Sequence, residues 1–255
     1  MSESPADELP FVAPCRDLAP GAPLRWIALG WCDLRAAPGT SLAFGAAIVL
    51  LSAIVTGITL RFGTGWTLLV LLSGFVFVAP VLGIAFYTIS AQLARGTRPS
   101  IASAIAAGNR HLADSLVYSL ILMVICLLWV RAGSAVQIFF PDDVPPKQVD
   151  LVIFFAVGSA IGSVFALAAF AASAFSLPMF VDRRSDAVTA VVTSINAVLR
   201  NRRTMAIWAV LVVLAVAIGV ATGLVGLAVT MPVIGHATWH GYREAIDASA
   251  WPAQD

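Results

Sequence analysis

Charge is what this sequence has least of. Only 11% of its residues are Asp, Glu, Lys or Arg, against about 25% in an ordinary soluble domain, while 60% are hydrophobic and the mean hydropathy is +0.92. One water-soluble core of this size cannot hide so much apolar surface, so a soluble globular protein is excluded and lipid must solvate much of the exterior. The net charge of +1 offers no basic footprint for nucleic acid. Cysteine is scarce as well: Cys15, Cys32 and Cys126 have no CxxC spacing, so no disulfide framework is implied. Lysine occurs once, at Lys147, and the other basic residues are arginine, a bias of GC-rich coding that points to a bacterial source. The sequence also lacks a nucleophile elbow, a phosphate-cradling loop and a Rossmann glycine pattern, so an enzyme is not expected.

What is present is a series of long apolar runs. Crossing ~30 Å of hydrocarbon takes ~20 residues at 1.5 Å each. On that measure the sequence predicts an all-α polytopic membrane protein with six transmembrane helices arranged as three hairpins. The spans fall at about 40–60, 66–90, 112–132, 151–177, 204–220 and 224–242. The last two come from one uncharged run, Thr204 to Tyr242, which as a single helix would be about twice as long as the hydrocarbon is thick. It is therefore divided at Gly219-Val220-Ala221-Thr222-Gly223; an undivided run would leave five spans. The polar stretch Pro141 to Asp150 reads as a loop, and Pro178 should kink or end the fourth span. Residues 1–20 lack the basic and apolar regions of a cleaved signal and are expected as a disordered cytosolic tail. Residues 21–246 form one membrane domain, and 247–255 a second tail.

Arginine placement orients the chain, because cytoplasmic flanks collect positive charge. With the N-terminus inside, twelve arginines fall on inner segments, leaving Arg61, Arg131 and Lys147 outside. Both termini are then cytoplasmic, and the location is the bacterial inner membrane. Two inner segments carry helical apolar stripes: Leu24, Ile27, Ala28, Trp31 and Leu34 within 22–36, and Val188, Val191, Val192, Ile195, Val198 and Leu199 within 185–202. Asp33, Arg35, Thr189, Ser194, Asn196 and Arg200 border them, as amphipathic helices lying in the interface require. A weaker version runs from Ile101 to Leu112.

Several residues are candidates for function. His236 and His240 stand four apart on one helical face, where they could share a metal, although an interfacial pair bonding neighbouring helices is the plainer reading. Pro80-Val81-Leu82-Gly83-Ile84-Ala85-Phe86-Tyr87 is echoed by Pro232-Val233-Ile234-Gly235-His236-Ala237-Thr238-Trp239. Pro80, Gly83, Tyr87, Pro178, Pro232, Gly235 and Trp239 thus form a packing or ligand motif near the inner ends of spans. Arg183, Arg184, Arg200, Arg202 and Arg203 form a basic strip suited to anionic lipid headgroups.

The stretches Gly30-Trp31-Cys32-Asp33-Leu34-Arg35-Ala36-Ala37-Pro38-Gly39, Ser176-Leu177-Pro178-Met179-Phe180-Val181-Asp182-Arg183 and Pro232-Val233-Ile234-Gly235-His236-Ala237-Thr238-Trp239-His240 resemble a bacterial integral membrane family, the domain of unknown function number 2189. The resemblance runs from about residue 15 to 245 and implies a membrane protein without an assigned activity. Some members are labelled cytochrome c oxidase. A haem-copper subunit needs about six histidine ligands, and this chain has three histidines, so no cofactor is expected. The first expectation is an accessory, scaffold or assembly subunit, its partners the lipid bilayer and another membrane protein or respiratory complex. The alternatives are a small transporter or lipid-handling protein, and metal or haem binding at His236 and His240.

Overall fold

A computed structural model describes residues 10–63, 65–137 and 148–254, with side chains for all of these except 65–70, 72–77 and 136–137. The first nine residues, Thr64 of the first turn, and the loop expected from Pro141, as far as Lys147, lie outside the described residues. Among the described residues ten α-helices follow one another: α1 (Ala22–Ala36), α2 (Pro38–Phe62), α3 (Gly65–Ala94), α4 (Ile101–Arg110), α5 (Leu112–Gln137), α6 (Gln148–Ser173), α7 (Ser176–Asp182), α8 (Ala187–Arg200), α9 (Arg202–Ala221) and α10 (Leu227–Ala245). The only strand-like pairing among the described residues is two isolated bridges, Cys15 with Ile246 and Arg183 with Ala253.

Among the described residues four stretches are long and apolar enough to cross a membrane: Pro38–Phe62, Leu112–Ala135, Gln148–Asp182 and Arg202–Ala221. The long terminal run is two helices. They are separated where Gly223 and Leu224 take φ values of 65° and 72°, a left-handed geometry that stops the α9 hydrogen-bond ladder. The fourth run breaks at Ala174-Phe175. Pro178 then sits in the first turn of α7, where its missing N–H costs no intrahelical bond.

Packing is concentrated at one end of the molecule. There α1 lies along α10, α3 meets α4 and α7, and α8 braces α6 and α7. Trp26 is fully buried, its ring edge-on to Trp208 at 5.5 Å and to Phe175 at 6.2 Å. The indole of Trp26 donates to Glu244 at 2.8 Å, and Arg25 pairs with the same carboxylate. Helices α1 and α8 bury small or polar residues beside large ones such as Trp26, Leu34 and Val191. In α8, Thr193 and Ser194 are buried while Val188 and Leu199 are exposed; in α1, Gly30 is buried while Leu24 and Trp31 are exposed. Thr189 and Ser194, expected as polar borders, therefore face the protein. The reason is backbone satisfaction: the Ser194 hydroxyl donates to Ala171 O and accepts from Phe175 N, capping the α6–α7 break.

Both tails depart from expectation. Residues 13–20 are not a disordered tail but part of this packed end. Ala13 N donates to the Thr193 hydroxyl, Arg16 N to Ala245 O, and Leu18 N to the Asn201 side chain, while Asp247 N donates to Pro14 O. The second tail is anchored by buried Trp251, with Arg184 N donating to Pro252 O and Gln254 N to Asp182 O. Disorder is expected of a segment that is polar and rich in proline; the hydrogen bonds that hold it come from distant residues, Thr193, Asn201, Ala245 and Asp247. Removing residues 1–20 deletes at least four such bonds, each worth ~1 kcal/mol, and should lower Tm by on the order of 5–10 °C in detergent. An unchanged Tm would mean these contacts contribute nothing.

Candidate functional site

The most connected polar group lies where α1, α2, α3 and α10 converge. His236 is fully buried on α10, with Nε2 3.0 Å from the Ser41 hydroxyl of α2 and Nδ1 2.8 Å from the Ser90 hydroxyl of α3. Ser90 donates to Asp33 Oδ2 of α1 at 2.7 Å, and His240 Nε2 is 2.9 Å from the same oxygen. One proton per hydroxyl fixes the direction of the chain. Because Ser90 gives its proton to the carboxylate, it must accept from His236 Nδ1–H, which leaves Nε2 to accept from Ser41. Every donor then points toward Asp33, so four helices are joined by one ordered relay.

Local sequence explains the placement. Gly235 stands where a Cβ would be 2.7 Å from Phe86 Cβ, so the two echoed segments meet each other, α10 against α3, at a small residue. Phe86 and His236 then stack edge-on at 5.6 Å. Gly83, by contrast, leaves ordinary contact distances of 3.5 Å to Leu177 and Tyr87. Pro80 and Pro232 are both buried inside their helices, and Tyr87 and Trp239 are buried as well. The repeat thus builds a helix contact; it does not line an open polar cavity.

The relay is exposed at one end only. The Asp33 and His240 side chains are 15% and 24% accessible, whereas Ser41, Ser90 and His236 are closed off. A proton conduit needs an exit at each end, and this chain stops at Ser41. The two histidine rings turn to different partners. Both nitrogens of His236 are taken by hydroxyls, His240 turns to Asp33, and no group of three His, Cys, Asp or Glu suited to a metal occurs among the described residues. The stacked-face spacing was legible in sequence, but i and i+4 residues diverge when each ring finds a partner on a different helix.

The arginines expected as one lipid-facing strip are divided. Arg183 is held by Asp182 at 3.1 Å and donates to Trp251 O, and Arg200 grips Asp17 with two bonds of 2.8 and 3.0 Å. The Arg200 guanidinium keeps the Asp17 carboxyl below its ordinary range. Arg184, Arg202 and Arg203 are exposed, and the last two flank an open groove with Leu18, Pro20 and Thr204. Asp182, Ser41 and Ser90 were not singled out from sequence. Asp182 is buried and accepts from Tyr242 at 2.9 Å and from Arg243 at 3.2 Å; a carboxylate at the end of an apolar run was its one visible signal.

Residues 68–182 match the family model described as predicted integral membrane protein (DUF2189), the family that the sequence resembles. The match begins within α3 and ends with α7, so Asp33, Ser41, His236 and His240 lie outside it. No curated protein and no solved structure matches the chain.

Proposed function

From an integral membrane protein of this kind, we propose a non-enzymatic accessory or scaffold subunit of the bacterial inner membrane. It crosses six times as the hairpins α2–α3, α5–α6 and α9–α10, with both termini cytoplasmic. The observation that carries this reading is the surface of α6. Its apolar window has a mean hydropathy of 2.4 and none of it is buried within the chain. Gly158 and Gly162 lie four apart there, beside Ser159 and Ser163, and a Cβ on Gly158 would meet nothing within 4 Å. Small residues at this spacing let a second transmembrane helix approach closely. The relay fits the same role, since its polar groups satisfy one another and hold the helices in one arrangement.

Purification from native membranes in mild detergent, followed by mass spectrometry, tests the proposal. A stoichiometric membrane partner is expected, and Gly158→Leu, at the position where an added Cβ meets nothing, should lose it while leaving Tm unchanged. A partner retained by that variant, or none in the wild type, sinks the scaffold reading. A lipid-handling role is the second reading. It is favoured by an apolar groove of about 370 Å³ between α1, α9 and α10, lined by Ile27, Trp31, Leu211, Ile218 and Val233, a lining that suits an acyl chain.

A further inference from the structure

A polar cavity of about 250 Å³ lies at the junction of α3, α4 and α7, with Gln254 in its lining. Its charged lining among the described residues is Arg95 and Arg110, joined by His111, with no carboxylate among them. The contrast with the cavity around Asp182 is direct. There Arg16, Arg183 and Arg243 are all paired, to Asp247 or Asp182. At the α3–α4 cavity the contrast rests on Arg95, whose hydrogen bond among the described residues is to the Gln254 carbonyl, at 3.5 Å.

The chain fixes this arrangement locally. Gly96, at φ 70°, ends α3, with Thr97 N donating back to Gln92 O, and so sets Arg95 at the rim. Ser100 caps α4 through Ser103, whose hydroxyl also donates to Gln92. The decisive group is Thr88. It is 7% exposed and lines the cavity, yet its hydroxyl has no partner. Thr59 and Thr238 each donate to the carbonyl one turn back, the usual resort of a helical threonine, and Thr88 does not. A buried hydroxyl left this way costs free energy unless something else accepts its proton. His111, 4% exposed, stands beside it in the lining. Burial holds its imidazole below the ordinary range against the opposing pull of Asp114, so the ring is a neutral hydrogen-bonding group there.

We propose that this cavity binds a phosphate-class anion, with Arg95 and Arg110 supplying charge and the Thr88 hydroxyl donating to a phosphate oxygen. The volume admits one phosphoryl group with little attached to it. Its source is either a lipid headgroup entering from the inner leaflet or a free phosphorylated solute. Charge-assisted bonds to phosphate dominate such sites, and one arginine is worth roughly tenfold or more in affinity.

The test uses the full chain in two arms. Inorganic phosphate is titrated calorimetrically into lipid-free detergent micelles, and nanodiscs containing phosphatidic acid or phosphatidylcholine are examined by native mass spectrometry. Saturable phosphate binding identifies a soluble ligand; selective retention of phosphatidic acid without it identifies the headgroup. In either arm Arg95→Gln should weaken binding roughly tenfold or more. Thr88→Val, which keeps the shape of the buried side chain, should weaken it severalfold and leave the ligand-free Tm unchanged or raised. Absence of binding in both arms, or binding indifferent to both variants, overturns the proposal.

Discussion

Gly30→Ala should cost ~3 kcal/mol of stability, at the upper end of what overpacking a well-packed core produces. A Cβ at Gly30 would lie 2.6 Å from Val233 O and 2.7 Å from Ala237 N. Both are backbone atoms of α10, so no side-chain rotation relieves the clash and α1 must move off α10. Asp33 follows on the next turn of α1, so the same displacement lengthens its bonds to Ser90 and His240. Gly45→Ala meets Ala228 O at 2.2 Å and should behave alike. Gly57→Ala is the control, with nothing within 4 Å of the added carbon, and should be neutral or slightly stabilising because alanine favours helix. Thermal unfolding in a fixed detergent measures all three. Equal Tm values for Gly30→Ala and Gly57→Ala would show that α1 and α10 do not approach as closely as described.

His236→Leu is expected to lose ~2–4 kcal/mol, because the change leaves two buried hydroxyls, Ser41 and Ser90, with one fewer partner each and removes an interhelical tie. The ring fills a fully buried position against Phe86, and leucine restores most of its volume, so the loss reports chiefly on hydrogen bonding. Pairing it with Asp33→Ala separates a relay from two independent contacts. If Ser90 transmits the interaction, the double variant should lose less than the sum of the single losses by ~0.5–3 kcal/mol. Strict additivity would mean that His236 and Asp33 act independently, in spite of their shared hydroxyl.

Much of the architecture was legible because it depends on short stretches of chain. The 39-residue apolar run from Thr204 had to break, and it breaks at the glycine-bearing segment where Gly223 and Leu224 take left-handed conformations. The histidine pair stood out by spacing alone. Its meaning did not, since a hydrogen-bond partner 146 or 195 positions away leaves no trace in the local pattern. Ser41 and Ser90 look like any other serine in an apolar helix, and Thr88 becomes notable only once its hydroxyl is seen to lack the usual carbonyl.

By itself the sequence determined that the chain is helical, that it is an integral membrane protein, and that its long apolar runs are helices. Those properties follow from hydropathy summed over about twenty neighbouring residues and from backbone hydrogen bonds that a helix closes within itself. Only the tertiary structure decided which face of α1 and α8 turns inward, that residues 13–20 and the C-terminal tail are held against the packed end of the molecule, and that Asp33, Ser41, Ser90, His236 and His240 share one network. These depend on buried polar groups finding partners across helices, a requirement enforced by desolvation and met by residues far apart in the chain.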